Sequence, residues 1–281
     1  MDRRRLVVLL IWTVAWSFGA VARSGPLTPP GAPAPSMKTL NEVEARIPVG
    51  PLTTPGDSSC TYRITQPGSY YLTGNVHGAA GKSGIIIASG FVTLDLNGYA
   101  IVGVSGSLHG VTTPTSTTQY SIQISNGVIG SWDGSGVSGF IVDAVVRDLR
   151  IYGCGRWGID LNSGYLTRVE RCSIFNAGYA GSTIGGGIQT HGPALIDGCL
   201  VQNGVGVGIN GGGIVRGCIV TNVYVDSGAG QTGIGINGTQ VEASQATWCA
   251  GTGITAVRVI RECVSLYNGA AYSAPYVVSC Y

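Results

Sequence analysis

One short register recurs eight times along this chain, and it limits the fold more than any other feature. Each copy reads aliphatic, two polar or turn-forming residues, a core residue, one spacer, then a second aliphatic. The clearest copies are Val146-Arg-Asp-Leu149-Arg-Ile151, Val169-Glu-Arg-Cys172-Ser-Ile174, Ile196-Asp-Gly-Cys199-Leu-Val201 and Val215-Arg-Gly-Cys218-Ile-Val220. Earlier ones start at Leu96 and Ile124, and two weaker ones at Val241 and Ile260. The starts are 19 to 28 residues apart, about 23 on average. A unit so short cannot bury its own aliphatics and becomes stable only when stacked on its neighbours. Helical units are disfavoured: there are 46 glycines in 281 residues, and each costs about 1 kcal/mol in a helix interior relative to alanine. Glycine shows no triplet period, which excludes a collagen-type triple helix. A hydrophobic content of 44% excludes plain disorder. The expectation is an all-β solenoid of about eight coils.

A second mark accompanies each coil. Glycine precedes an aliphatic or aromatic residue at Ile85, Val111, Phe140, Ile159, Ile188, Ile209, Ile236 and Ile254. These side chains are expected to point inward. Side chains alternate along a strand, so the next residues should form an outward column: Ile86, Thr112, Ile141, Asp160, Gln189, Asn210, Asn237 and Thr255. The core position of the main register gives another column: Tyr99, Gly127, Leu149, Cys172, Cys199, Cys218, Ser244 and Cys263. Stacked thiols point the same way, which disfavours disulfide geometry; they read as small buried hydrophobes. Cys60, Cys154, Cys249 and Cys280 have no assigned slot. Asn176, Asn203 and Asn222 follow the second aliphatic, with Asn268 one place late. Asparagine tolerates the left-handed backbone that a sharp corner needs.

The opening coils carry a more specific signal. Ile64-Thr-Gln-Pro-Gly-Ser-Tyr-Tyr-Leu-Thr-Gly-Asn75, Gly84-Ile-Ile-Ile87 and Val92-Thr-Leu-Asp-Leu-Asn-Gly98 resemble secreted bacterial right-handed parallel β-helix repeat proteins of the pectin-lyase-like superfamily, over about residues 39–270. The resemblance implies a right-handed parallel β-helix. In that fold the amphipathic stretch Thr39–Ile47 would be a short N-terminal helix capping the rod, ended by Pro48. It also implies a substrate groove on the outward column that holds Asp160.

Residues 1–22 read as a secretory signal: Arg3, Arg4 and Arg5, then an uncharged apolar run from Leu6 to Ala22, then Ala20-Val21-Ala22 as the cleavage site. An uncleaved anchor is the competing reading, and the run is at the short limit for a membrane span. Cleavage leaves no membrane span in the mature chain and implies a secreted or cell-envelope location. Residues 23–37 hold five prolines and read as an extended linker; residues 38–281 form the β-helix domain. The whole chain is +2, and the signal accounts for it. A near-neutral mature chain argues against nucleic acid as partner, since phosphate binding needs clustered Lys and Arg.

The middle of the outward column is Asp160, Gln189, Asn210, Asn237. Amides both donate and accept, as sugar hydroxyls do, so these four are candidate polysaccharide-binding residues, with Trp157 and Tyr165 as flanking aromatics. A solvated ladder of stacked amides is the alternative. Catalysis in the superfamily uses clustered charges, either a basic residue with cationic sinks or paired acids. Here the weak catalytic candidates are Asp160, Arg156 and His191. No metal or other cofactor is expected: there is no C-x-x-C pair, and His77, His109 and His191 are far apart. Three readings stand: polysaccharide recognition, a polysaccharide lyase or glycoside hydrolase, and a non-catalytic surface protein.

Overall fold

The computed structural model describes residues 44–162, 165–178, 185–225 and 233–281. The expected signal, the linker, residues 39–43 of the capping helix and parts of two long turns lie outside them. Among the described residues the fold is a parallel β-solenoid of about nine turns, with every strand ladder parallel and no helix.

Three strand faces wind round one dry core. On the first face Ile85, Val111, Val137, Ile159, Ile188, Ile209, Ile236 and Ile254 stack in register. All eight are fully buried. The second face stacks Leu94, Ile124, Val146, Val169, Ile196, Val215, Val241 and Ile260. The third stacks Ile101, Ile129, Ile151, Ile174, Val201, Val220 and Ala246. β-Branched side chains suit this packing because they fill a pleated surface with little rotamer entropy to lose.

One expected slot is corrected. Phe140 does not join the inward column; Val137 does, preceded by Gly136, and Ser138 rather than Ile141 faces outward. Two glycine–hydrophobic pairs, Gly136-Val137 and Gly139-Phe140, lie three residues apart here, and burial selects between them. Phe140 is 39% exposed, whereas Val137 is sealed and Ile141 opens the next strand with 1% exposure. The turn between the two strands is held by the Phe140 N–H, which donates to Thr113 Oγ1 at 3.0 Å.

The capping helix is corrected at its described end. Ile47–Pro48 is a short strand paired with Tyr70 and Tyr71, and the Val49 N–H donates to Tyr71 O at 2.8 Å. Proline has no N–H to give, so it fits an edge strand, and Ile47 packs on the core. At the other end Ala270–Ser273 and Tyr276–Val278 continue the first and second faces.

The bends recur at fixed places. Before the thiol column each turn has a left-handed residue: Asp148, Arg171, Gly198, Gly217, Ala243, Glu262 and Ser279, with φ between 44° and 61°. The next corner uses Gly153, Asn176, Asn203, Asn222, Trp248 and Tyr267, with φ between 53° and 58°. The non-glycine residues there accept roughly 1–2 kcal/mol of local strain each, offset by the stacking the bend allows. Asn268 is not the corner residue; its side chain accepts from Cys249 N–H at 2.7 Å and donates to Ala246 O at 3.0 Å.

Cys172, Cys199, Cys218 and Cys263 are buried free thiols in one column, and Cys280 continues it beneath Cys263. Their S–H groups donate to backbone carbonyls, for example Cys218 to Arg216 O at 3.3 Å. Neighbouring thiols and burial push Cys199 up to about 12 and hold Cys218 higher still. Cys154, sealed by burial, also rises to about 12.

Two measurements check this packing. Ile188→Ala should cost about 2–5 kcal/mol of unfolding free energy by denaturant titration, while Phe140→Ala should cost under about 1 kcal/mol. In the native protein a thiol alkylating reagent should label Cys280 first; mass spectrometry should find the other seven cysteines protected until denaturant is added.

Candidate functional site

Strands Trp157–Leu161, Gly186–Thr190, Val207–Gly211 and Ile234–Glu242 lie side by side on the first face. Their pairing puts Asp160, Gln189, Asn210 and Asn237 in one outward column, with Thr112 and Ser138 on one side and Thr255 and Ser273 on the other. The inward isoleucines force this arrangement, because alternation leaves the next residue no other direction.

The column is a chain of interacting polar groups. Asn237 Nδ2 donates to Asn210 Oδ1 at 2.9 Å. Gln189 Nε2 is 2.5 Å from His191 Nε2, and that nitrogen stands 3.9 Å from Asp160 Oδ1. Asp160 is only 8% exposed, and its Oδ1 is buried with no hydrogen-bond partner among the described residues. Burial raises the carboxyl above the ordinary aspartate range, while His191 and then Arg156 pull it back down. Arg156 forms no ion pair among the described residues. It also acts on His109, which burial and Arg156 together hold below the usual histidine range; His109 Nδ1 accepts from Ser135 N–H at 3.0 Å.

The structure therefore brings Asp160, Gln189 and His191 into contact, keeps Arg156 within electrostatic reach, and aligns Asn210 and Asn237 above them. The two aromatics take other places. Trp157 is buried, at 3% exposure, with its ring against Gly186. Tyr165 is 66% exposed at the corner toward the second face. It lines a shallow cleft of about 360 Å³ with Leu166, Arg168, Pro193, Leu195 and Ile214. Among the described residues no group of three or more His, Cys, Asp or Glu could hold a metal ion.

Three acids outside this column have partners of their own. Asp197 lies on the second face and pairs with Arg216 at 2.8 Å. Asp148 pairs with Arg171 of the next turn, at 2.8 Å, rather than with the adjacent Arg147 or Arg150. Asp143 accepts from Ser121 Oγ at 2.8 Å. Ser138 is a site neighbour that the misplaced Phe140 slot concealed; the Gly136-Val137-Ser138 triplet was the available signal.

No family model, curated protein sequence or solved structure matches this chain.

The raised Asp160 carboxyl has a stability consequence. A carboxyl whose folded-state pKa lies above its unfolded value binds more protons folded than unfolded. Its contribution is then most favourable below the ordinary aspartate range and falls as pH rises through the raised value. Asp160→Asn should therefore gain stability relative to wild type at neutral pH and show no such gain in acid, read as urea midpoints across a pH series.

Proposed function

We propose that this protein is an exported β-helix protein that recognises polysaccharide along the Asp160–Asn237 column. One observation carries the reading: Asp160 Oδ1 is buried without a partner, against His191 and in line with Gln189, Asn210 and Asn237. Buried polar atoms are nearly always satisfied, so an unpaired oxygen on the outward column supports a ligand donor beside it. A sugar hydroxyl supplies one and still accepts from a neighbouring amide. The Arg3–Ala22 segment supports export, and the Ile64–Asn75 and Val92–Gly98 motifs support kinship with pectin-lyase-like proteins.

The chemistry of the column favours recognition over cleavage. Hydrolysis needs two carboxyls flanking the bond, roughly 5–9.5 Å apart. Asp160 is the one acid on the outward column from Thr112 to Ser273. A lyase reading would assign the proton abstraction to Arg156 or His191.

A glycan array comparing wild type with Asp160→Ala tests the proposal. Losing one hydrogen bond to a charged group is worth about 1.5–3 kcal/mol, so bound glycans should weaken by roughly ten- to a hundredfold. Equal binding by both proteins would overturn the assignment of the column. Release of unsaturated sugar, followed by ultraviolet absorbance, would replace recognition with lyase activity.

A further inference from the structure

A second feature of the rod sits at a different corner and does not depend on the Asp160 column. Where the third face turns back to the first, a cleft of about 400 Å³ is lined by Gly153, Asn176, Ala177, Asn203, Val205 and Tyr224. Its size falls in the lower part of the range for small-molecule sites.

The construction of this cleft is regular. Gly153, Asn176 and Asn203 are the left-handed corner residues of three successive turns, so the two asparagine side chains leave the backbone in the same direction. Gly153 has none, and a Cβ there would meet nothing closer than 3.8 Å, so that end of the cleft is open. Ala177 is sealed into the floor and Val205 is partly buried. Tyr224 forms the wall at 52% exposure. Its backbone is fixed on both sides: it donates to Gly204 O and accepts from Gly206 N–H, both at 2.9 Å.

The hydrogen-bonding groups are only partly used. Asn222 Nδ2 donates to Asn203 Oδ1 at 3.1 Å, and among the described residues the Asn203 amino group donates to nothing. The Asn176 carboxamide makes no hydrogen bond among the described residues. Corner stabilisation accounts for the Asn203–Asn222 bond, but it requires neither a free Asn176 amide nor an exposed ring held beside it. Among the described residues no charged side chain lines the cleft, so that lining offers an anionic sugar no counter-ion.

We propose that this corner cleft binds a neutral pyranose ring of a glycan. The apolar face of the ring lies on Tyr224 and Val205, and its hydroxyls reach the Asn176 and Asn203 amides. An aromatic ring and a planar amide set at fixed spacing supply both parts of that recognition.

The test uses the full chain, with cellohexaose, mannohexaose, xylohexaose and chitohexaose as probes in isothermal titration. Saturable binding of at least one is expected. Removing the ring in Tyr224→Ala should weaken it about tenfold, equivalent to the roughly 1.4 kcal/mol at the upper end of an aromatic contact. Tyr224→Phe should retain it, and Phe175→Ala, a surface change on the third face, should leave it untouched. Circular dichroism and unfolding midpoints confirm that each variant is folded. Asn176→Ala with intact Tyr224 gives a second reading should Tyr224→Ala fail to fold. No binding of any probe to wild type, or equal affinity in both Ala variants, overturns the proposal. So does sedimentation showing a dimer that Tyr224→Ala dissolves and the sugars do not. Loss of the Asp160 effect on the array would leave this cleft's result unchanged, so the two assignments fail separately.

Discussion

The structure depends on like residues stacking on like. In-register parallel pairing puts each side chain directly over its equivalent one turn away, about 4.8 Å along the axis. An aliphatic on an aliphatic extends a dry column; a charge on a like charge must find help from the side. Both outcomes are present. Isoleucine and valine fill the inward column of the first face without interruption from Ile85 to Ile254. On the second face Glu170 stacks on Asp197, and the strain is relieved by neighbouring arginines: Arg171 near Glu170 at 3.5 Å, and Arg216 on Asp197 at 2.8 Å. Such exposed pairs contribute little stability individually; here they make an acidic stack tolerable.

The same rule shapes the polar column of the first face. Asn237 on Asn210 is a satisfied amide pair. Asp160 beneath Gln189 is not an equivalent pair, and the mismatch leaves Oδ1 of the acid without a donor. The departure from like-on-like is local and has a histidine beside it. The orphaned oxygen is more informative than the amide ladder, because a ladder alone is what stacked strands stabilise in any case.

Much of the architecture was legible because it is periodic. Columns of isoleucine, the thiol slot and the asparagine corners could be read from spacing alone. The reading failed where spacing became ambiguous. Two glycine–hydrophobic pairs around Val137 and Phe140 offered equal matches, and only burial chose between them. Ile47 read as the end of the amphipathic stretch Thr39–Ile47, but an unpaired strand edge at Tyr70 and Tyr71 claimed it instead. Cys280 had no slot until the turn after Ala270 placed it beneath Cys263. At the site, Asp160, Gln189, Asn210 and Asn237 followed from alternation. The Gln189–His191–Asp160 contact did not, because it depends on how the chain leaves one strand. Tyr224 was invisible for the same reason: it lies just past the asparagine corner, in a connection whose length varies from turn to turn.

The geometry of the turns also bears on how the chain reaches this state. Every strand pairs with one about a single turn away in sequence, whether near Ile85 or near Ile254. Lengthening such a rod adds no more distant partnership, so the loop to be closed at each step stays the same. Assembly can then begin wherever two adjacent turns first dock and run outward in both directions, as a zip fastener does.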